Sequence, residues 1–187
     1  MSFFGEIAKS FSPDLPSNLD DMNAHLEFIL PKVVPYGEDL RETNFWIGKR
    51  WLEVRDEEGF HEAILHVFYE GGEYMLSIDG NLMKGTWKQL GEYNSLVLEI
   101  SGKGELFDVR FMNRDFMVLT KHGDQGRKGQ RKYFTMVHEP VAKHQGGYLD
   151  WRNVMEKLYN VWRENSISIW AWLFFLILIG AIVYAST

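Results

Sequence analysis

The sequence predicts a mainly β protein: an eight-stranded antiparallel meander barrel with N-terminal helices and a long C-terminal helix that ends in a single transmembrane span. Three observations predict it. From Trp51 to His138 apolar and polar residues alternate, the period of half-buried strands. Glycine-bearing turn signals divide that stretch so closely that no crossover helix fits between them. Finally, Ser166 to Thr187 contains 22 residues without a charge. At ~1.5 Å per residue a helix of that length extends about 33 Å, against ~30 Å of bilayer hydrocarbon.

The chain divides into an N-terminal helical segment (1–44), a barrel (45–140), a hinge (141–149), a juxtamembrane amphipathic helix (150–165) and the transmembrane helix (166–187). In residues 2–11, Phe3, Phe4, Ile7, Ala8 and Phe11 share one helical side, expected either on the bilayer surface or on the domain. Ser17 or Asn18 is placed to cap a second helix reaching about Leu30, with Leu19, Met22, Leu26, Ile29 and Leu30 at helical spacing. Pro31, which lacks an amide hydrogen, is expected to end it.

Strands are expected near 50–55, 62–70, 73–79, 82–88, 95–101, 105–112, 115–121 and 131–138, joined by turns such as Gly80-Asn81 and Gly102-Lys103-Gly104. Alternation turns Tyr74, Leu76, Ile78, Met83, Gly85 and Trp87 inward, with Leu96, Leu98 and Ile100, then Phe107, Val109 and Phe111. For the last two strands two registers stay open: Phe116, Val118, Tyr133, Thr135 and Val137, or Met117, Leu119, Phe134 and Met136. A barrel of this size is either filled by its own side chains or holds one small ligand.

Beyond Pro140 and Gly146-Gly147, Asp150 is placed to cap a helix whose one face carries Trp151, Val154, Met155, Leu158, Val161 and Trp162. The glycine hinge favours a second copy or another subunit as the partner of that face, over the barrel. Asn165 and Ser166 do not break the helix, so one rod from about 150 to 186 is expected. Within the span Gly180, Ala181 and Ala185 offer a small-residue contact for helix pairing. Arg152, Lys157 and Arg163 precede the span and no basic residue follows it, which describes a tail anchor with the N-terminal domain in the cytoplasm and the C-terminus across a bacterial inner membrane.

Composition excludes several classes of function. Cysteine is absent, so disulfides, thiolate metal sites and a cysteine nucleophile are ruled out. A net charge of -6 argues against general nucleic-acid binding. The six histidines show neither an i,i+4 pair nor a His-x-His strand motif, so no metal site is expected. Catalytic and nucleotide-binding signatures are missing, and the expectation is a protein that is not an enzyme and carries no cofactor.

Gly85-Thr86-Trp87 on a strand, preceded by the aromatic strand and glycine turn of Tyr74 to Gly80 and followed by Leu96-Val97-Leu98, resembles the small lipocalin-like domains of bacteria. The resemblance covers about residues 45–138 and implies a calycin-type barrel. In architecture the chain is also similar to β-barrel membrane effectors of cyclic-oligonucleotide defence systems, where a barrel binds a nucleotide signal and membrane helices assemble.

If the barrel holds a ligand, Trp51, Tyr74, Trp87, Arg110 and Tyr133 are the candidates, since aromatic walls with a few polar handles are what small-molecule pockets use. The segment Lys121 to Lys132 is basic and glycine-rich, and makes Arg127, Lys128, Arg131 and Lys132 candidates for holding an anion. The leading expectation is therefore a membrane-anchored barrel that binds a partner or small ligand, within a homo-oligomer or membrane complex. The alternative is a signal-gated effector that binds an anionic cyclic nucleotide and clusters its spans to disrupt the membrane.

Overall fold

A computed structural model describes residues 13–42, 45–60, 62–90, 94–123 and 131–185; within the last helix the side chains of most residues from 167 onward lie outside that description. The expected helix over 2–11 also falls outside it.

Eight strands form one closed antiparallel barrel in simple chain order: β1 Arg50–Val54, β2 Ile64–Phe68, β3 Glu73–Ile78, β4 Asn81–Gln89, β5 Ser95–Ile100, β6 Lys103–Met112, β7 Phe116–Lys121 and β8 Tyr133–His138, with β8 pairing back onto β1. Closure leaves the barrel itself without a free strand edge. The β3–β4 hairpin turns on Asp79 and Gly80, at φ +47° and +87°, one residue earlier than Gly80-Asn81. Two successive positive φ values match the twist of tight hairpins, and Asp79 further accepts the Ala63 amide at 2.9 Å. Gly85 meets a different need. A Cβ there would lie 2.2 Å from the Glu99 carbonyl oxygen, so β4 and β5 approach closely only because it is glycine.

The barrel wall is buried on both faces along part of its circumference. Inside, Trp51, Phe68, Tyr74, Leu96, Leu98, Phe107, Met112, Met117, Leu119 and Met136 form one apolar cluster. Outside, Leu52, Val54, Phe111, Phe116, Val118 and Val137 form a second cluster with helical residues. The two registers left open for β7 and β8 are thus both apolar because both faces are covered. Phe111 leaves the inward set expected for β6: a bulge between Val109 and Phe111 adds a residue, which turns Phe111 outward and Met112 inward.

The covering helices are α1 (Met22–Val33) and α3 (Trp151–Ala185). Asp21 caps α1 by accepting the Ala24 amide at 2.7 Å, in place of Ser17 or Asn18. The helix passes Pro31 and closes at Val33. Pro31 sits in the last turn, where the missing donor leaves only the Glu27 carbonyl without its helical bond. The segment expected as a hinge is built up: a short α2 (Glu139–Ala142) and a hairpin of β9 (Lys143–His144) with β10 (Gly147–Tyr148). Tyr148 donates to Glu139 Oε1 at 2.9 Å, and Arg50 and Lys143 pair with the same carboxylate.

Asp150 caps α3 through the Asn153 amide at 2.9 Å, and the backbone then stays helical for 35 residues. Val154, Met155, Leu158 and Tyr159 are buried against α1 and the outer barrel wall. The face expected to await another subunit is therefore used within the chain, because α1 lies alongside it. Arg163 is nearly fully buried and fixes the start of the described chain, donating to the Pro13 carbonyl at 3.0 Å and to Asp14 at 3.1 Å. Farther along, Leu176, Ile177, Ile179 and Tyr184 are exposed. Among the described residues no helix is long and apolar enough to cross a membrane.

Candidate functional site

The two ends of the barrel differ. One end carries the β2–β3, β4–β5 and β6–β7 connections and is closed by aromatic side chains. Three indole N–H groups tie this plug together: Trp46 donates to the Leu40 carbonyl at 3.1 Å, Trp51 to Trp46 at 2.9 Å and Trp87 to Tyr69 at 2.8 Å. Trp46 also meets Phe68 and Trp87 edge to face, at 5.3 and 4.8 Å between ring centres.

Among the described residues the opposite end is open. A cavity of about 490 Å³ extends into the barrel beneath the β1–β2, β3–β4, β5–β6 and β7–β8 connections. Its walls are apolar, with Ile64, Leu76, Ile78, Leu98, Ile100, Phe107 and Phe134 contributed by successive strands. Among the described residues five cationic side chains, Arg55, Lys103, Lys121, Arg131 and Lys132, line it against the two carboxylates Glu53 and Glu105, the latter paired with Lys121 at 2.7 Å. A chain of net charge -6 thus presents an excess of positive charge here. Low-dielectric walls concentrate such a field and favour an anion.

At the inner end of this cavity sits a buried polar chain. Glu53 is 5% exposed; its Oε1 accepts from Arg55 Nε at 2.7 Å and from Arg131 Nη2 at 2.6 Å, while Oε2 lies 3.2 Å from His66 Nε2. His66 Nδ1 lies 2.5 Å from the Tyr74 hydroxyl, and the two rings are stacked. Burial alone would push the Glu53 carboxyl up, but hydrogen bonds from His66 and Arg55 and the charge of Arg131 outweigh it and hold the pKa at about 2. Burial and the Glu53 charge push the Tyr74 phenol well above its ordinary value, so it keeps its proton. Burial also lowers the Arg131 pKa, against the pull of Glu53.

Of the sequence candidates, Tyr74, Arg131 and Lys132 line this cavity, and Tyr133 borders it while its ring belongs to the outer cluster beside α1. One member of the aromatic set and two of the basic set thus meet at one cavity. Trp51 and Trp87 belong to the plug at the other end. Arg110 is exposed at the β6 bulge. Arg127 and Lys128 lie outside the described residues, as do most of the Gly180, Ala181 and Ala185 surroundings. Glu53, His66, Arg55, Lys103 and Lys121 were not singled out as ligand contacts. The signal for Glu53 was present in Trp-Leu-Glu-Val, a carboxylate at an inward position of a strand otherwise apolar on both sides.

A second depression lies between the start of α1, the β1–β2 loop and the start of α3; it is lined by Asp20, Asp21, Asp56, Glu57, Glu58, Glu62 and Asp150. Among the described residues no group of three or more histidines and carboxylates is arranged to hold a metal ion.

No family model, curated protein or solved structure matches this chain. The closed eight-strand antiparallel barrel is consistent with lipocalin-like architecture.

Proposed function

We propose that this protein is a non-enzymatic, membrane-held barrel that takes a small anionic ligand into its open end. The observation that carries the reading is the cavity itself: apolar walls and a cationic excess in an otherwise acidic chain. The test is thermal stabilisation of the full chain in lipid nanodiscs by an apolar sulfonate such as 8-anilinonaphthalene-1-sulfonate. Saturable stabilisation that weakens at least about tenfold in affinity in Lys103→Glu/Lys121→Glu supports the reading. Stabilisation unaffected by the double reversal removes it.

Membrane attachment is part of the same proposal. Its support is the uncharged sequence from Ser166 to Thr187, together with the helical backbone to Ala185 and the exposed Leu176, Ile177, Ile179 and Tyr184. The basic residues before it favour a barrel on the cytoplasmic side of a bacterial inner membrane, and the small residues Gly180, Ala181 and Ala185 suit pairing within a homo-oligomer or with a membrane-complex subunit. Retention of the chain in the membrane pellet after alkaline carbonate washing is the expected result, and its release would remove the anchor.

A second reading is a signal-gated effector in which the anion is a cyclic nucleotide. Arg131 and Lys132 favour it: Arg131 reaches into the barrel to Glu53, while Lys132 pairs outward with Glu27 of α1 at 2.8 Å, and α1 packs on α3. Stabilisation by cyclic nucleotides but not by the sulfonate would select this reading.

A further inference from the structure

We propose that the inner end of the barrel cavity is a hydrogen-bond acceptor, so that the ligand is an amphiphile with an anionic group at the rim and a hydrogen-bond donor at its buried tip. The inference rests on the reading of the cavity as a ligand site and adds which end of the ligand goes in and what that end must carry.

The direction of the polar chain follows from its anchored end. Glu53 is ionised and accepts only, so the His66 Nε2 that faces it at 3.2 Å carries a proton. In the neutral ring Nδ1 is then the acceptor, and the Tyr74 hydroxyl beside it donates its single proton there. The phenol proton is committed. What Tyr74 offers the cavity is oxygen lone pairs alone. Glu53 Oε1 already accepts from both Arg55 and Arg131, and its Oε2 from His66.

Between this acceptor and the rim the walls are Ile64, Leu76, Ile78, Leu98, Ile100 and Phe107, which favour an apolar body. The strand registers give the order. Ile100 stands opposite Lys103 at the β5–β6 turn and Ile78 opposite Asn81 at the β3–β4 turn, whereas Tyr74 stands opposite Gly85, well away from both turns. Charge at the rim, apolar surface between and an acceptor at the inner end describe a ligand with three distinct parts. A fully apolar tail would bury against Tyr74 without satisfying its oxygen. A tip that only accepts would face another acceptor, which is the costlier mismatch.

The test compares 10-hydroxydecanoate with 10-methoxydecanoate on the full chain in nanodiscs at pH 8 by calorimetric titration. The hydroxyl tip is expected to bind about tenfold tighter, and Tyr74→Phe to bring the two affinities together by weakening the hydroxylated ligand. Because the comparison is made first on the native chain, a poorly folding variant does not remove the test. Equal binding of the two compounds overturns the inference and leaves the cavity a ligand site of another selectivity. Binding of neither, while the sulfonate still stabilises the chain, overturns the inference alone. Binding of none of the three overturns both.

Discussion

Glu53 is ionised at a site where burial alone would favour its protonated form. Its pKa falls from 4.5 to about 2 on folding. Between those values the unfolded chain binds more protons than the folded one, so stability rises with pH through this window and is flat above it. The full contribution is present above about pH 4.5 and is lost as pH falls through about 2. A shift of this size corresponds to about 3 kcal/mol at neutral pH. Urea midpoints measured from pH 2 to 6 are expected to show that slope, and Glu53→Gln to flatten it. Glu53→Ala is expected to cost more, about 2–4 kcal/mol, because the partly buried Arg131 and the buried His66 would lose their partner. Gly85→Ala tests the close approach of two strands: its added methyl meets the Glu99 carbonyl, and a loss of about 1–3 kcal/mol in the same assay is expected.

Among the elements, α3 serves two roles along its length. Its first turns lie on α1 and the barrel wall through Val154, Met155 and Leu158, whereas farther on Leu176, Ile177 and Ile179 are exposed. Leu158→Ala is expected to destabilise the fold by about 2–5 kcal/mol, as deletion of a fully buried leucine does. If it leaves the urea midpoint unchanged, the helix does not pack on the barrel in solution. At the other helix, Asp21→Ala removes the cap of α1 and is expected to lower stability by about 1 kcal/mol without affecting ligand affinity.

At the scale of the whole molecule, barrel and helices form one folding unit. Leu52, Val54, Phe116, Val118 and Val137 face outward from the barrel and are buried only because α1 and α3 cover them. A chain lacking residues 1–44 is therefore expected to expose a contiguous apolar surface and to self-associate, which light scattering during thermal unfolding would reveal. A soluble, monomeric product with an unchanged melting temperature would show the barrel to be independent. The same connectivity links the ligand end of the barrel to α3 through adjacent side chains. Arg131 holds Glu53 inside, and Lys132 holds Glu27 of α1 outside.

Local pattern was enough to place the strands, because alternation and turn chemistry act between near neighbours in the chain. All eight lie within a few residues of the places that periodicity assigns them. The sequence also marked Tyr74, Arg131 and Lys132 as residues suited to a ligand, without showing that they line one cavity. Only the tertiary structure decided that. Closure of the sheet brings β1, β3 and β8 around a common axis, and no periodicity encodes which strand ends are plugged and which stay open. Trp51 and Trp87 illustrate the limit: their residue type suits a binding wall as well as a core, and their place at the closed end is set by the turns and by Trp46, which reaches them from outside the strands. The expectation that a second copy or another subunit covers the α3 face failed for the same reason. An amphipathic stripe requires something to cover it, and the approach of α1 across more than a hundred residues of intervening chain supplies the cover.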